Sequence, residues 1–438
     1  MTMTVPVQQQ DQPLHQAEGF PQPGPTSNRR SARHFFLGQR REIRDGGLRV
    51  LLRKVRTLVD TLLAVPAVLL MRALRPLVTI RVGPLSSSRI GPFSANVEVY
   101  LCERDAGLHG RRTVDLFYHA LPVCNRQLKR MWDRTLPVSR FVASLNRVNG
   151  WFPGANTHRV PMPSGTDRDF HGLLATTRPH LSFTEEECRR GWASLAGWGI
   201  GQATPYVCFQ AREPRYLAVT YPDRNWDYHN YRNADIQNLL PAVETLTRRG
   251  YMALRVGAVV EAPMETSNPR ILDYARNGRT EFLDIFVGAH CRFYLGDPSG
   301  IACIPVIFRR RVAFVNFIPF AYVRSWSAQD LLIPKTLWLR SERRWLTFRE
   351  ILDSGIGRCH WAEQYERHGI EVIENTPEEI TALAVEMDER LRGTWQTTPE
   401  DEELQRRFWS LFTPSTLRGV IRGRIGAEFL RQHRGLLE

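Results

Sequence analysis

The second half of the chain alternates short apolar runs with capped helical stretches, and this alternation restricts its possible folds more than any other feature. Tyr206–Phe209 is an apolar run of the buried type, and a helical stretch follows over Ile236–Arg249, with Asp235 as its cap and Gly250 at its stop. Strand Tyr251–Val256, helix Thr280–Ala289 and strand Arg292–Leu295 come next. The turn Gly296-Asp297-Pro298-Ser299-Gly300 opens a further helix before strand Val312–Asn316. Thr184 with Glu187, Thr347 with Glu350, and Thr376 with Glu379 have the spacing of capping boxes. Strands that are apolar on both sides need cover on both faces, so the pattern predicts an α/β fold with a parallel, doubly wound sheet.

The first half repeats the pattern less regularly. Leu77–Val82 and Val114–Phe117 read as strands, Arg89-Ile90-Gly91 as a turn into a helix around Ala95–Leu101, and Asn125–Trp132 as a second helix. Residues 150–180 are rich in Gly, Pro, Ser and Thr and read as a long loop. Residues 1–45 read as a disordered leader with little to bury, and the extreme N-terminus lacks the layout of a secretory signal.

Between them, residues 46–80 combine Leu48, Leu51, Leu52, Val55, Leu58, Val59, Leu62 and Leu63 at helical spacing with Arg49, Arg53, Lys54, Arg56 and Asp60 on other faces. The apolar stretch is too short to span a bilayer without burying Asp60, so it predicts a basic amphipathic helix at an anionic membrane surface through residues 48–75. The bland alternative is a helix packed on the protein's own core.

The formal net charge is +14, and all but three of the 59 basic residues are arginines. Thirteen basic residues against three acidic ones lie between Arg29 and Arg81, so most of the excess belongs to that segment. Such a balance favours an anionic partner, either a membrane surface, a phosphorylated ligand or nucleic acid. Because the excess sits beside leucines, and no basic strand set interleaved with aromatics is present, nucleic acid is not the expected partner. The seven cysteines are scattered without CxxC or Cys/His zinc spacing, which favours neither a disulfide scaffold nor a structural zinc and suits a reducing compartment.

In an open parallel sheet, ligands sit beyond the carboxyl ends of strands. Two segments qualify. At the turn 296–300, Ser299, Gly300 and Ile301 would present backbone N–H groups to a diphosphate; otherwise Asp297 or Ser299 merely caps the helix. Arg212, just past Tyr206–Phe209, could hold a pyrophosphate bidentately or simply pair with Glu213. The loop Tyr228-His229-Asn230-Tyr231-Arg232-Asn233 adds hydrogen-bonding groups, with His229 either an acid/base or a structural hydrogen-bonder. GxSxG, P-loop and GxGxxG motifs are missing from the sequence, so hydrolase, NTPase and NAD readings have no motif support.

The segments "SRIGPFSANVEVYLCERD", "PYVCFQAREPRYL", "WDYHNYRNADIQNLLPAVETLTRRGYMALRVG", "EFLDIFVGAHCRFYLGDPSG", "TPEEI" and "RIGAEFL" together resemble a bacterial family of glycosyltransferases over residues 78–430. The donor half is also similar to fucosyltransferase and heptosyltransferase donor domains. The resemblance implies two Rossmann-like domains facing a cleft (a GT-B-like fold): an acceptor domain at 81–200, a nucleotide-sugar domain at 201–390 and C-terminal helices at 391–438. It further implies a metal-independent transferase without a cofactor, moving sugar from a nucleotide-sugar donor to a glycan or lipid-linked acceptor at the inner face of the cytoplasmic membrane, in envelope or exopolysaccharide synthesis. In that setting Arg212, Arg232, Ser299, Gly300 and Ile301 would bind the donor diphosphate, with Asn230, Asn233 and Asp297 beside it. Glu98, Glu103, Asp105, His119 and His229 would be candidates for the acid/base role. One departure stands where a histidine before the arginine is expected: this chain has Gln210-Ala211-Arg212-Glu213. The alternatives are a basic nucleic-acid-binding protein and a non-catalytic member of the transferase fold.

Overall fold

The computed structural model describes residues 32–110, 112–162, 168–261, 263–413 and 419–438, with side chains from residue 47 onward apart from Arg49 and Arg53. The expected leader over residues 1–31 lies outside them. From Ala32 the backbone is helical, so the reading of 1–45 as a leader without structure is corrected over its last part. Helix α1 (Ala32–Ala73) is broken at Gly47, whose φ of 59° lies in the left-handed region. Among its described side chains, Ala64, Val68 and Met71 lie at helical spacing and pack with Val82, Val142, Leu145 and Val148. Leu48, Leu51, Leu52, Val55, Leu58, Val59, Leu62 and Leu63 stay exposed.

The N-terminal lobe follows. Strand β1 (Thr79–Leu85), a π-helical turn (Pro92–Asn96), α2 (Val97–Asp105) and β2 (Thr113–His119) form one parallel unit, followed by α3 (Arg126–Thr135) and α4 (Phe141–Asn149). The two strands pair in register from Thr79–Thr113 to Leu85–His119, and single bridges from Arg159 to Val82 and from Val138 to Phe117 extend the sheet on either side. Arg81 and Asp115, paired in that register, form a buried bidentate ion pair at 2.6 and 2.9 Å, with the Tyr100 hydroxyl on the same carboxylate. Loop residues 150–180 hold two short 3-10 turns, Ala155–His158 and Leu173–Ala175. Helix α5 (Glu185–Ala196) starts on the capping box of Thr184 and Glu187.

The C-terminal lobe contains β3 (Tyr206–Gln210), α6 (Arg215–Thr220), α7 (Leu240–Arg248), β4 (Met252–Arg255), β5 (Ile271–Leu272), α8 (Glu281–His290), β6 (Phe293–Gly296), α9 (Cys303–Ile307), β7 (Arg311–Phe317) and β8 (Leu331–Pro334). A small antiparallel sheet of β9 (Thr336–Leu339), β10 (Arg344–Trp345) and β11 (Ile370–Ile373) carries α10 (Phe348–Asp353) and α11 (Ala362–Arg367) in its connections. The chain closes with α12 (Pro377–Arg392), α13 (Pro399–Ser410), β12 (Arg424–Ile425) and α14 (Ala427–Gln432).

The main sheet is parallel throughout, in the order β12-β8-β7-β6-β3-β4-β5. The chain runs outward from β3 through β4 to β5, then returns to the other side of β3 and continues through β6, β7 and β8. The topological switch point therefore lies between β3 and β6, where an open α/β sheet leaves its ligand crevice. Residues 391–438 are not a separate set of helices: β12 joins the sheet edge beside β8, and the buried Phe408, Phe429 and Leu430 belong to the main core. The helix expected from Ser299 starts only at Cys303, and Ile236–Leu239 is a 3-10 turn leading into α7.

A second core joins the lobes, with Leu85, Phe93, Leu101, Phe117 and Trp132 packing with Ile285, Cys303, Ile304 and Ile307. Where β3 meets β6, Gln210 pairs with Gly296, whose φ is 151°. A Cβ there would run into the Gln210 carbonyl oxygen, with the Gln210 nitrogen 3.0 Å away, and all of these are backbone atoms. Gly296→Ala is therefore expected to cost about 3 kcal/mol or more. Gly435→Ala, with nothing within 4 Å of the added carbon, serves as the neutral control. Chemical denaturation of both variants checks this, and equal midpoints would refute it.

Candidate functional site at the sheet's switch point

Past the end of β3 the backbone N–H of Arg212 donates to Asp297 Oδ2 at 2.6 Å, which ties the two strand ends together. The other carboxylate oxygen of Asp297 accepts from Asn316 Nδ2 at 3.0 Å. Burial pushes the Asp297 carboxyl up to about 6 despite these donors. Asp297 is thus buried and hydrogen-bonded on both carboxylate oxygens, and it shapes the crevice wall from inside. Ser299 Oγ and Tyr294 Oη both donate to Gln210 Oε1, at 2.8 and 3.0 Å. Gly300 is packed under Ile90 and Gly91 of the N-terminal lobe, where a Cβ would lie 3.0 Å from the Ile90 side chain and 3.3 Å from the Gly91 nitrogen. Ile301 is half-buried against both cores.

The sequence left open whether Arg212 pairs with Glu213. It does not: Glu213 is taken by Arg255 and by the Glu261 N–H. Arg212 Nη1 donates instead to the His229 carbonyl at 3.3 Å and to the Asn233 side chain, both neutral acceptors. Asn230 Oδ1 accepts from Asn233 Nδ2 at 3.0 Å, so both asparagines belong to the frame that orients Arg212. Arg232 Nη2 reaches the Pro298 carbonyl at 3.0 Å. Arg89, from the loop after β1, lies over the rings of Tyr221 and Trp226 at 5.8 and 5.9 Å. Among the described residues none of these three guanidiniums is ion-paired to a carboxylate. Burial, followed by Arg232, lowers Arg212 to about 10, and it remains cationic at neutral pH. The ammonium of buried Lys335 donates to the Asn233 carbonyl at 2.6 Å, and burial lowers its pKa too.

His229 stands inside this group, its ring stacked on Trp226 at 6.2 Å and tilted against Tyr228 at 4.1 Å. Burial first, then Arg232, Arg212, Arg89 and His360, lower it to about 3, so the imidazole is neutral. Its Nδ1 is buried without a partner.

The remaining acid/base candidates lie elsewhere. Glu103 and Asp105 sit in the last turn of α2, which leads back to the start of β2, so they lie at the amino ends of the strands, away from the crevice. Glu103 is engaged by His109 at 2.9 Å and Asp105 by His180 at 2.9 Å. His119 does end β2 on the crevice side, but its Nε2 is committed to Asp133 at 2.7 Å. Sequence reading missed Arg89, Gln210, Tyr294 and Lys335. The signal available for Arg89 was the one used for Arg212, an arginine just past a strand's end.

Glu98, Cys102 and His180 bring ligand-type atoms within 4.8 Å of one another. Arg309 Nη2 fills that cluster, 2.7 Å from Glu98 Oε1 and 3.6 Å from Cys102 Sγ. Burial opposes the charged form of His180, but hydrogen bonds to Cys102, Glu98 and Asp105 outweigh it and raise the ring to about 10. Two cations thus occupy the donor set, which reads as a clamp between α2 and the C-terminal lobe. A histidine raised in the fold contributes stability that is complete below its ordinary value near 6.5 and is lost as pH rises towards about 10. The urea midpoint should therefore fall between pH 7 and pH 10, and fall less in His180→Gln. Parallel declines in both proteins would remove the clamp.

No protein-family model matches the chain, and no curated protein matches it. Among solved structures it is similar to the glycosyl transferase family 9 from Veillonella parvula DSM 2008, with 11% identity over 54% of this chain and 80% of that one, and a TM-score of 0.33. It is similar to the E. coli ADP-heptose lps heptosyltransferase II, with 12% identity, 55% and 86% covered, and a TM-score of 0.29. It is also similar to the bacterial iron-containing dodecameric glycosyltransferase TibC from enterotoxigenic E. coli H10407, with 12% identity, 54% and 60% covered, and a TM-score of 0.28.

Proposed function

We propose that the protein is a glycosyltransferase that takes its sugar from a nucleoside-diphosphate donor bound at the switch point. The observation that carries this reading is the set of three guanidiniums, Arg89, Arg212 and Arg232, converging on a strand-end crevice without carboxylate partners. The two fully buried arginines are both paired with carboxylates: Arg81 with Asp115, and Arg255 with Glu213 and Asp273. Three unpaired cations in one crevice call for a multivalent anion.

In the transfer, an acceptor hydroxyl oxygen forms a bond to the anomeric carbon while the bond from that carbon to the diphosphate oxygen breaks. The electron pair leaves with the nucleoside diphosphate, and the hydroxyl proton passes to a base. Negative charge grows on the diphosphate as this happens, and fixed guanidiniums that need no reorganisation stabilise it, which is the work a metal would otherwise do.

The exposed leucines of α1 carry a second part of the reading. No helix among the described residues is long and apolar enough to cross a membrane. Leu58, Leu62 and Leu63 are nonetheless 58–63% exposed, on a segment with Arg56, Arg72 and Arg75. Interfacial binding to anionic lipid would cover them and bring the crevice to lipid-linked acceptors on the cytoplasmic leaflet.

Thermal-shift measurements on the full chain with GDP, UDP, dTDP, ADP and CMP test the donor site. One nucleoside diphosphate should raise the melting temperature, because a ligand at 100-fold excess over its Kd adds about 2.7 kcal/mol. Arg212→Ala should abolish that shift and lower turnover about 100-fold or more while changing the melting temperature little. A folded protein that responds to none of them would refute the reading. For the membrane part, the chain should float with phosphatidylglycerol vesicles and not with phosphatidylcholine, and Leu58→Gln/Leu62→Gln should stay at the bottom of the gradient. Flotation unchanged by the double substitution would count against α1.

A further inference from the structure

We propose that His229 is itself a ligand-contacting residue of the anion site, and that it takes up a proton from solvent as a diphosphate settles among Arg89, Arg212 and Arg232. This rests on the reading of the crevice as a diphosphate site and goes beyond it by giving the histidine a role. The geometry is specific. The ring is clamped between Trp226 and Tyr228, and the His229 N–H donates to the Trp226 carbonyl at 2.9 Å. Its own carbonyl accepts from Arg212, so ring and guanidinium are held as one unit. Yet Nδ1 has no partner although it is buried, an arrangement that costs free energy unless a ligand supplies the missing hydrogen bond.

Charge decides the protonation state. On its own turn His229 faces Arg232, while Asp227 of the same turn is exposed. From beyond β3 it faces Arg212, whose neighbouring carboxyl, Asp297, is already engaged by the Arg212 N–H and Asn316. Arg89 acts from beyond β1 and His360 from the turn before α11. Burial and these cations keep the imidazole neutral. A diphosphate reverses the balance: it offsets the guanidiniums and offers an oxygen to an imidazolium N–H, so the ring's affinity for a proton rises towards its ordinary value. The added proton stays on Nδ1, hydrogen-bonded to the diphosphate, where it stabilises the oxygen that receives the electron pair when the sugar departs.

The test is calorimetry on the full chain at pH 6.5, in two buffers of different ionisation enthalpy, with inorganic pyrophosphate and with the nucleoside diphosphates as probes. Wild type should take up about half a proton more than His229→Asn, because a histidine restored to its ordinary value is half-protonated there. The difference between the two proteins removes the protons that the phosphates themselves exchange. Equal uptake overturns the proposal. Should the variant fail to fold, carbon-detected NMR of the 12 histidine rings in wild type replaces it. One ring should move to the charged position on adding pyrophosphate at pH 6, and no movement overturns the proposal. Proton uptake with pyrophosphate but no binding of any nucleoside diphosphate keeps the histidine's role and removes the nucleotide donor. Nucleotide binding with equal uptake does the reverse, and no binding of any probe removes both.

Discussion

The close approach of β3 and β6 at their carboxyl ends sets the geometry of everything around the crevice. Because Gly296 has no side chain, the Gln210 carbonyl can accept from the Asp297 N–H at 3.3 Å. Asp297 is thereby swung under the end of β3, where its carboxylate takes the Arg212 N–H. Gln210 closes the same joint from its side chain, accepting from Tyr294 and Ser299. The direction in which the chain leaves both strands is therefore fixed by hydrogen bonds among buried groups, and the loop bearing His229 and Arg232 is built on that frame.

The lobes are held together by an apolar core and a buried ion cluster. Phe93, Phe117 and Trp132 share a core with Ile304 and Ile307, and Glu98 of α2 is gripped by Arg309 and His180. At the crevice floor Gly91 and Gly300 let two backbones touch. Arg89 is carried on the N-terminal lobe while Arg212 and Arg232 belong to the other, so this shared packing is what brings the three charges into one place.

Burial first, and neighbouring guanidiniums after it, drive Arg212, Lys335 and His229 towards their neutral forms: Arg232 acts on Arg212, Arg212 on Lys335 against the pull of Glu374 and Asp297, and Arg232, Arg212 and Arg89 on His229. Elsewhere the chain relieves such strain with carboxylates, as at Arg249 with Asp388 or Arg431 with Asp401. A site that withholds them is arranged for a charge that comes from outside.

Local chemistry made much of this legible in advance. Capping boxes at Thr184, Thr347 and Thr376, and unbroken apolar runs such as Tyr206–Phe209, are decided by neighbours a few residues apart; the boxes form as read, and the strand runs one residue further, to Gln210. Arg212, Arg232 and the turn after β6 could be nominated because strand ends are where an open parallel sheet binds its ligands. What one strand end cannot reveal is which other elements meet it. Asp297 is buried against Asn316 and half-buried Gly300 packs against Gly91, partners that lie 19 and 209 residues away in the chain. Glu103 and Asp105 were the right residue types at the wrong end of the sheet, which depends on the return path of α2. The place of β12 was likewise settled by packing. The sequence by itself determined the kinds of elements and the arginine-rich, lysine-poor chemistry available to them. Only the tertiary structure decided which arginines are neutralised and which, among the described residues, meet at the crevice without a carboxylate, because ion pairing depends on distances that the fold alone imposes.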